Sequence, residues 1–181
     1  MQVLQISIAK AIQNIEQREY VIPVIQRDFV WQVAQIERLF DSLMRDYPIG
    51  TFLFWQVPSS ALEKYPFFAF AKHVVKNSSH PERIDSTPKK TVTAVLDGQQ
   101  RLTSFLLGSR GSYTSRGRGR SGMRTRELFV DLMAYKEEAG EEKTSYSFRF
   151  MTEPEVDAED KAITHWFKVR DAANLPRIEL A

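Results

Sequence analysis

Three features of the chain predict an α+β fold, a small mixed β-sheet flanked by helices. Val33, Ile36, Leu39, Phe40, Leu43 and Met44 recur at the spacing of one helical face, with Gln35, Glu37, Arg38, Asp41 and Arg45 opposite. The run Thr91 to Leu96 is apolar and β-branched and passes through Gly98 into Leu102, Phe105 and Leu106, a strand feeding a helix. Glu127 to Met133 and Tyr146 to Phe150 read as two strands of a hairpin joined by the charged turn Lys136 to Lys143.

The other elements follow in chain order. Ser7 precedes Ile8, Ala11, Ile12 and Ile15, which predicts a capped helix over 6–17. Pro23 excludes a helix interior and pushes its predecessor to extended geometry, so Tyr20 to Trp31 is an extended segment suited to a sheet edge. The helix over 33–46 ends at Tyr47-Pro48-Ile49-Gly50, a breaker pair. Strands are expected over 51–57, 91–97, 127–133, 146–150 and 166–169, and a helix over 99–108. Ala61 to Lys72 reads either as a helix interrupted at Pro66 or as a loop closing over the core. Asn77 to Lys90 reads as an exposed, mobile loop. Gly108 to Arg126 holds five glycines, four serines and six arginines, which predicts a flexible basic loop over 109–126. Asp171-Ala172-Ala173 is the start of a further helix.

The chain has 181 residues, enough for one domain over 1–181, and 43% hydrophobic with 27% charged residues is ordinary globular usage. The absence of cysteine excludes disulfides, zinc–thiolate sites and thiol nucleophiles. No basic region precedes an apolar core at the N-terminus, and no apolar stretch is long enough to span a bilayer. A cytoplasmic protein is expected. The net charge of +2 makes a weak overall case for nucleic acid, but the arginines are concentrated in one stretch.

Chemistry concentrates at Asp97-Gly98-Gln99-Gln100-Arg101, where the strand meets the helix. A helix start presents unpaired N–H groups that suit an anion, and a guanidinium grips phosphate in a bidentate fork. Read this way, Asp97 holds a Mg²⁺ or accepts a proton, Gln99 or Gln100 orients water, and Arg101 stabilises charge. The alternative reading is a cap at Asp97, a tight turn at Gly98, two solvated amides and an arginine paired with a neighbouring acid. A Walker loop is absent. Gln26 and Arg27 repeat a Gln-Arg pair beside Phe29 and Trp31, either a second wall of the same site or an ordinary edge segment. Arg116, Arg118, Arg120 and Arg124 are candidates for holding a DNA backbone without sequence preference, or belong to a solvated loop. His73, His80 and His165 lack metal-ligand spacing and are assigned no catalysis.

The order Ile22-Pro23-x-x-Gln26-Arg27-x-Phe29-x-Trp31, then a helix ending at Tyr47-Pro48-Ile49-Gly50, then Asp97-Gly98-Gln99-Gln100-Arg101-Leu102-Thr103, resembles the N-terminal domain of GmrSD-type modification-dependent restriction proteins. The resemblance spans about residues 5 to 170, with its specific motifs between 22 and 103. It implies a ParB/sulfiredoxin-like fold in a bacterial phage-defence protein. It implies binding and hydrolysis of a Mg²⁺–nucleoside triphosphate, with Asp97, Gln99, Gln100 and Arg101 catalytic and Gln26, Arg27, Gly98 and Arg101 nucleotide-binding. It also implies DNA and a C-terminal or separate nuclease domain as partners. Nothing here matches the HNH-type nuclease motif, and the chain stops at Ala181 without a closing element, which predicts a truncated member. The alternatives are a nucleotide switch that does not hydrolyse, and a DNA-binding or nicking module with a phosphodiester in the same pocket.

Overall fold

A computed structural model describes residues 3, 5–26, 28–58, 61, 64–76, 82–84, 91–117, 122–136 and 144–174. Its elements are α1 (Ile8–Glu16), β1 (Tyr20–Pro23), α2 (Val33–Met44), β2 (Leu53–Val57), β3 (Phe67–Phe68), β4 (His73–Val75), β5 (Arg83–Ile84), β6 (Val92–Asp97) and α3 (Gln99–Arg110). They continue with β7 (Ser112–Arg116), β8 (Met123–Asp131), β9 (Ser147–Met151), α4 (Glu153–Asp157), β10 (Trp166–Lys168) and a 3-10 turn (Val169–Asn174). The fold is α+β as expected, but among the described residues the strands form two five-stranded sheets rather than one small one. The first runs β2-β6-β1-β3-β5, with β1 parallel to β6; the second runs β10-β8-β7-β4, with β4 parallel to β7 and β9 on β8.

α3 holds the two sheets together. Leu102, Phe105, Leu106 and Leu107 share a core with Ile12 and Ile15 of α1, Ile36 and Phe40 of α2, Val95 of β6, Leu128 of β8, and Phe148 and Phe150 of β9. Residues are buried nearly all round α3, which is why its sequence lacks a strong polar face. The helix runs past Gly108, where a Cβ would lie 2.4 Å from the Phe40 ring; the glycine lets α2 and α3 approach closely. A smaller cluster of Val21, Val57, Phe67, Ile84, Val92 and Ala94 covers the other face of the first sheet.

Several expectations change. Tyr20–Pro23 is an interior strand, lying between β6 and β3, not an edge; Pro23 sits at its last position, where a missing N–H costs least. Between 59 and 90, Phe67–Phe68, His73–Val75 and Arg83–Ile84 pair as short strands, too brief for alternation to reveal. Residues 77–81 and 85–90 of the expected loop lie outside the described residues. The expected basic loop over 109–126 is largely a hairpin. Tyr113 to Arg116 pair with Arg126 to Met123, Tyr113 is buried against Phe150, and Thr114 Oγ1 lies 2.8 Å from Thr125 Oγ1. Alternation of small polar residues around one aromatic supplies the strand, and the glycine content hid it.

α2 covers the free edge of β9. Glu37 Oε1 accepts from Phe150 N at 2.8 Å, and Asp41 Oδ1 accepts from Ser145 N and Tyr146 N, both at 2.8 Å. Two acids one turn apart thus satisfy edge amides that would otherwise invite another strand.

Candidate functional site

β6 ends at Asp97 and α3 begins at Gln99, with Gly98 between them in the left-handed region at φ 87°. A Cβ on Gly98 would lie 2.3 Å from Phe52 Cδ1, so only glycine fits here for both conformational and steric reasons. Gly98, not Asp97, occupies the N-cap position, and no side chain caps the helix. The N-cap residue therefore supplies no side-chain acceptor to the start of α3.

The three motifs of the sequence meet at this junction. Gln26 Nε2 donates to Leu96 O at 3.2 Å, tying the turn after β1 to the end of β6. The Gln100 amide grips the segment beyond that turn: Nε2 donates to Asp28 O and Oε1 accepts from Val30 N, each at 3.0 Å. Arg101 grips the breaker turn: Nη1 donates to Ile49 O at 2.5 Å and Nη2 to Thr51 O at 2.7 Å. Its guanidinium lies 4.6 Å from the centre of the Phe52 ring and 3.4 Å from Asp97 Oδ2. Gln99 and Gln100 are buried, not solvated as the cap reading expected. Asp97 keeps a side chain that is 70% exposed. Arg27 lies outside the described residues.

The arrangement keeps some chemistry open. A guanidinium has five N–H donors, and three are engaged by the Ile49, Thr51 and Asp97 oxygens. No group of three or more acidic or histidine side chains suited to a metal exists among the described residues. A single exposed carboxylate such as that of Asp97 would hold Mg²⁺ only together with further oxygen donors.

The basic hairpin places Arg116 on β7 and Arg124 on β8; Arg118 and Arg120 lie outside the described residues. Arg124 pairs with Glu155 at 3.3 Å, as does Arg126, which also donates to Ser115 Oγ at 3.0 Å. Glu155 completes a capping box with Thr152, whose spacing in the sequence marks the helix start that alternation did not reveal. Burial alone would raise the Glu155 carboxyl, but the Thr152 N–H and the Arg126 charge outweigh it and hold it below its usual value. Glu37 moves the other way: burial raises it, and the Phe150 N–H and the charge of Arg149 only partly offset that. Ile49, Gly50, Thr51 and Phe52 were not singled out from sequence as site residues; their signals were the Pro-Gly breaker and the place of Ile49 and Gly50 in the family pattern.

An uncharacterized protein of Methanocaldococcus jannaschii is 37% identical over 87 residues, which make up 48% of this chain and 14% of that protein. The chain thus spans about a seventh of the curated relative it matches. Residues 8–180 match the family described as the N-terminal domain of the GmrSD restriction endonuclease, and the chain belongs to that family.

Proposed function

We propose that this domain binds and hydrolyses a nucleoside triphosphate at the Asp97–Arg101 junction, and so regulates a bacterial anti-phage restriction system that acts on modified DNA. The observation that carries the reading is the convergence of Gln26, Gln100 and Arg101 on one strand-to-helix turn whose N-cap is a glycine without a capping side chain and whose Asp97 is exposed. The phosphates sit at the start of α3, where N–H groups and the helix dipole favour negative charge. Asp97 would hold a Mg²⁺ brought by the nucleotide, which would neutralise phosphate charge, or would accept the proton of the attacking water; the spare N–H groups of Arg101 would meet the phosphate, and Arg27 is a further candidate for the same charge. DNA and a nuclease domain, in the same chain or a separate one, are the partners of the regulated step.

A second reading follows from the engaged amides. Gln100 and Arg101 hold the 28–30 and 49–51 backbones, so a nucleotide at this turn also acts on two neighbouring segments. That suits a switch that binds without hydrolysis. Titrating the protein with each Mg²⁺–nucleoside triphosphate, with heat and phosphate release recorded, separates the readings. Turnover that falls in Asp97→Asn, at an unchanged melting temperature, supports hydrolysis; binding without turnover supports the switch. No binding to any nucleotide rejects both.

A further inference from the structure

A strand at the end of a sheet turns a row of N–H and C=O groups outward, and proteins blunt such edges with short strands, lysines or a covering element. Most edges of this fold are blunted in these ways. β5 has two residues, one of them Arg83. β4 has three and lies between Lys72 and Lys76. β10 has three and ends in Lys168, and α2 covers the edge of β9 through Glu37 and Asp41.

β2 is different. It ends the first sheet, has five residues and pairs with β6 on one side; among the described residues no strand pairs with its other side. The register shifts only at Leu53/Phe54, so Phe54–Val57 form a regular ladder. In an antiparallel ladder every second residue turns both its N–H and its C=O away from the paired neighbour, so β2 presents such groups at the open edge. No charged residue occurs from Tyr47 to Leu62. Leu53 is 45% and Trp55 36% exposed. Trp55, Ala94 and Val21 form one row across β2, β6 and β1; the inner two are fully buried, and Trp55 ends the row at the open edge.

This edge sets two conditions on its occupant. The occupant must be an extended backbone, and it must be uncharged where it meets Trp55, since a charge beside that ring would lose its water unpaired. β2 itself meets both. We propose that β2 pairs antiparallel with β2 of a second copy of this chain, joining the five-stranded first sheets of the two copies into one. A two-fold axis through Trp55 pairs all five residues: Trp55 lies opposite Trp55, Phe54 opposite Gln56, and Leu53 opposite Val57 of the second copy. No like charges meet across this pairing, and cross-strand aromatic pairs such as the central one stabilise neighbouring strands. The pairing uses none of the side chains assigned to the nucleotide, so it holds or fails independently of the function proposed at the Asp97–Arg101 junction.

The test is sedimentation of the whole chain across a concentration series. The expected result is a monomer–dimer equilibrium that Trp55→Lys and Trp55→Glu each weaken about tenfold or more, because each sets two like charges at the centre of the interface. Mixing the two variants should restore the dimer, which a damaged fold would not do. Gln56→Lys, at an exposed position, should weaken the dimer at an unchanged melting temperature. The chain has no cysteine, so Trp55→Cys supplies its one thiol. Opposed cross-strand Cβ atoms lie about 4.5–5.5 Å apart, so oxidation should link the copies faster than in Ile163→Cys, an exposed position outside β2. A chain that stays monomeric overturns the proposal: slow hydrogen exchange at the β2 amides would then assign the edge to another segment of the same chain, and fast exchange would leave it to a different protein. A dimer unaffected by both charge variants, or Trp55→Cys linking no faster than Ile163→Cys, overturns it as well.

Discussion

Gly50 and Arg101 compete for the same space: a Cβ on residue 50 would lie 2.7 Å from Arg101 Nη1. Gly50 also has φ 81°, a conformation that side-chain-bearing residues rarely adopt. The breaker turn and the helix are therefore one unit, and the guanidinium closes it by donating to the Ile49 and Thr51 carbonyls.

Gly50→Ala should destabilise the fold by about 1–3 kcal/mol, from backbone strain with the added clash. Adding Arg101→Ala removes the clash but not the strain. A double-mutant cycle by urea unfolding should then show non-additivity, with the Gly50→Ala penalty smaller in the Arg101→Ala background. Equal penalties in both backgrounds would separate the turn from the helix.

Gln100 acts as donor and acceptor at once. Gln100→Ala leaves Asp28 O and Val30 N without that partner, a loss of about 1–3 kcal/mol. Gln100→Glu still accepts from Val30 N but places a carboxylate oxygen against a carbonyl, and it should be destabilised too. Hydrogen exchange should quicken at Val30 in both variants, more so in Gln100→Ala. Such losses show that reduced activity of Gln100 or Arg101 variants must be read beside their stability, which is why Asp97→Asn is the cleaner probe.

Glu37 makes stability depend on pH. Burial raises its carboxyl above 4.5, so the folded chain takes up a proton where the unfolded chain does not. The associated stability is complete below 4.5 and is lost as pH rises through the folded value. Glu37→Gln keeps the acceptor for Phe150 N and removes the titration. Relative to wild type, the variant should gain stability between pH 4.5 and neutrality, measured by urea unfolding across that range.

Glu155 has the opposite sign. Its carboxyl is held below 4.5, so its contribution is present above 4.5 and is lost as pH falls through the folded value. Glu155→Gln should lose stability at neutral pH and differ least from wild type in acid. The Arg124 and Arg126 side chains would lose their shared carboxylate, and proteolysis of the β7–β8 hairpin should quicken.

The parts of the fold legible in the sequence are those with long periodic patterns. Ile36, Leu39 and Phe40 mark α2 by spacing alone, and the strand–glycine–helix junction at Asp97–Gln99 lies where the pattern changes period. Short strands such as Arg83–Ile84 were not legible, because two residues carry no alternation. The hairpin at Ser112–Arg126 was hidden by glycines and serines; its strand character rests on Tyr113 packing against Phe150, a contact distant in sequence. At the junction, Gln26 bonds the end of β6 while Gln100 and Arg101 lie in the first turn of α3; the sequence leaves open whether the Gln26 segment joins this turn or is an ordinary edge. Their backbone partners were not legible, since which carbonyl a side chain meets depends on how the segments fold together.

Hydrogen exchange at the first turn of α3, with and without saturating Mg²⁺–nucleoside triphosphate, tests the proposed site most directly. If the phosphates sit on this turn, exchange slows at the Gln99, Gln100 and Arg101 amides in the wild type, and the effect weakens in Asp97→Asn. Nucleotide binding that leaves these three amides unchanged, or no binding at all, would contradict a phosphate site at the junction.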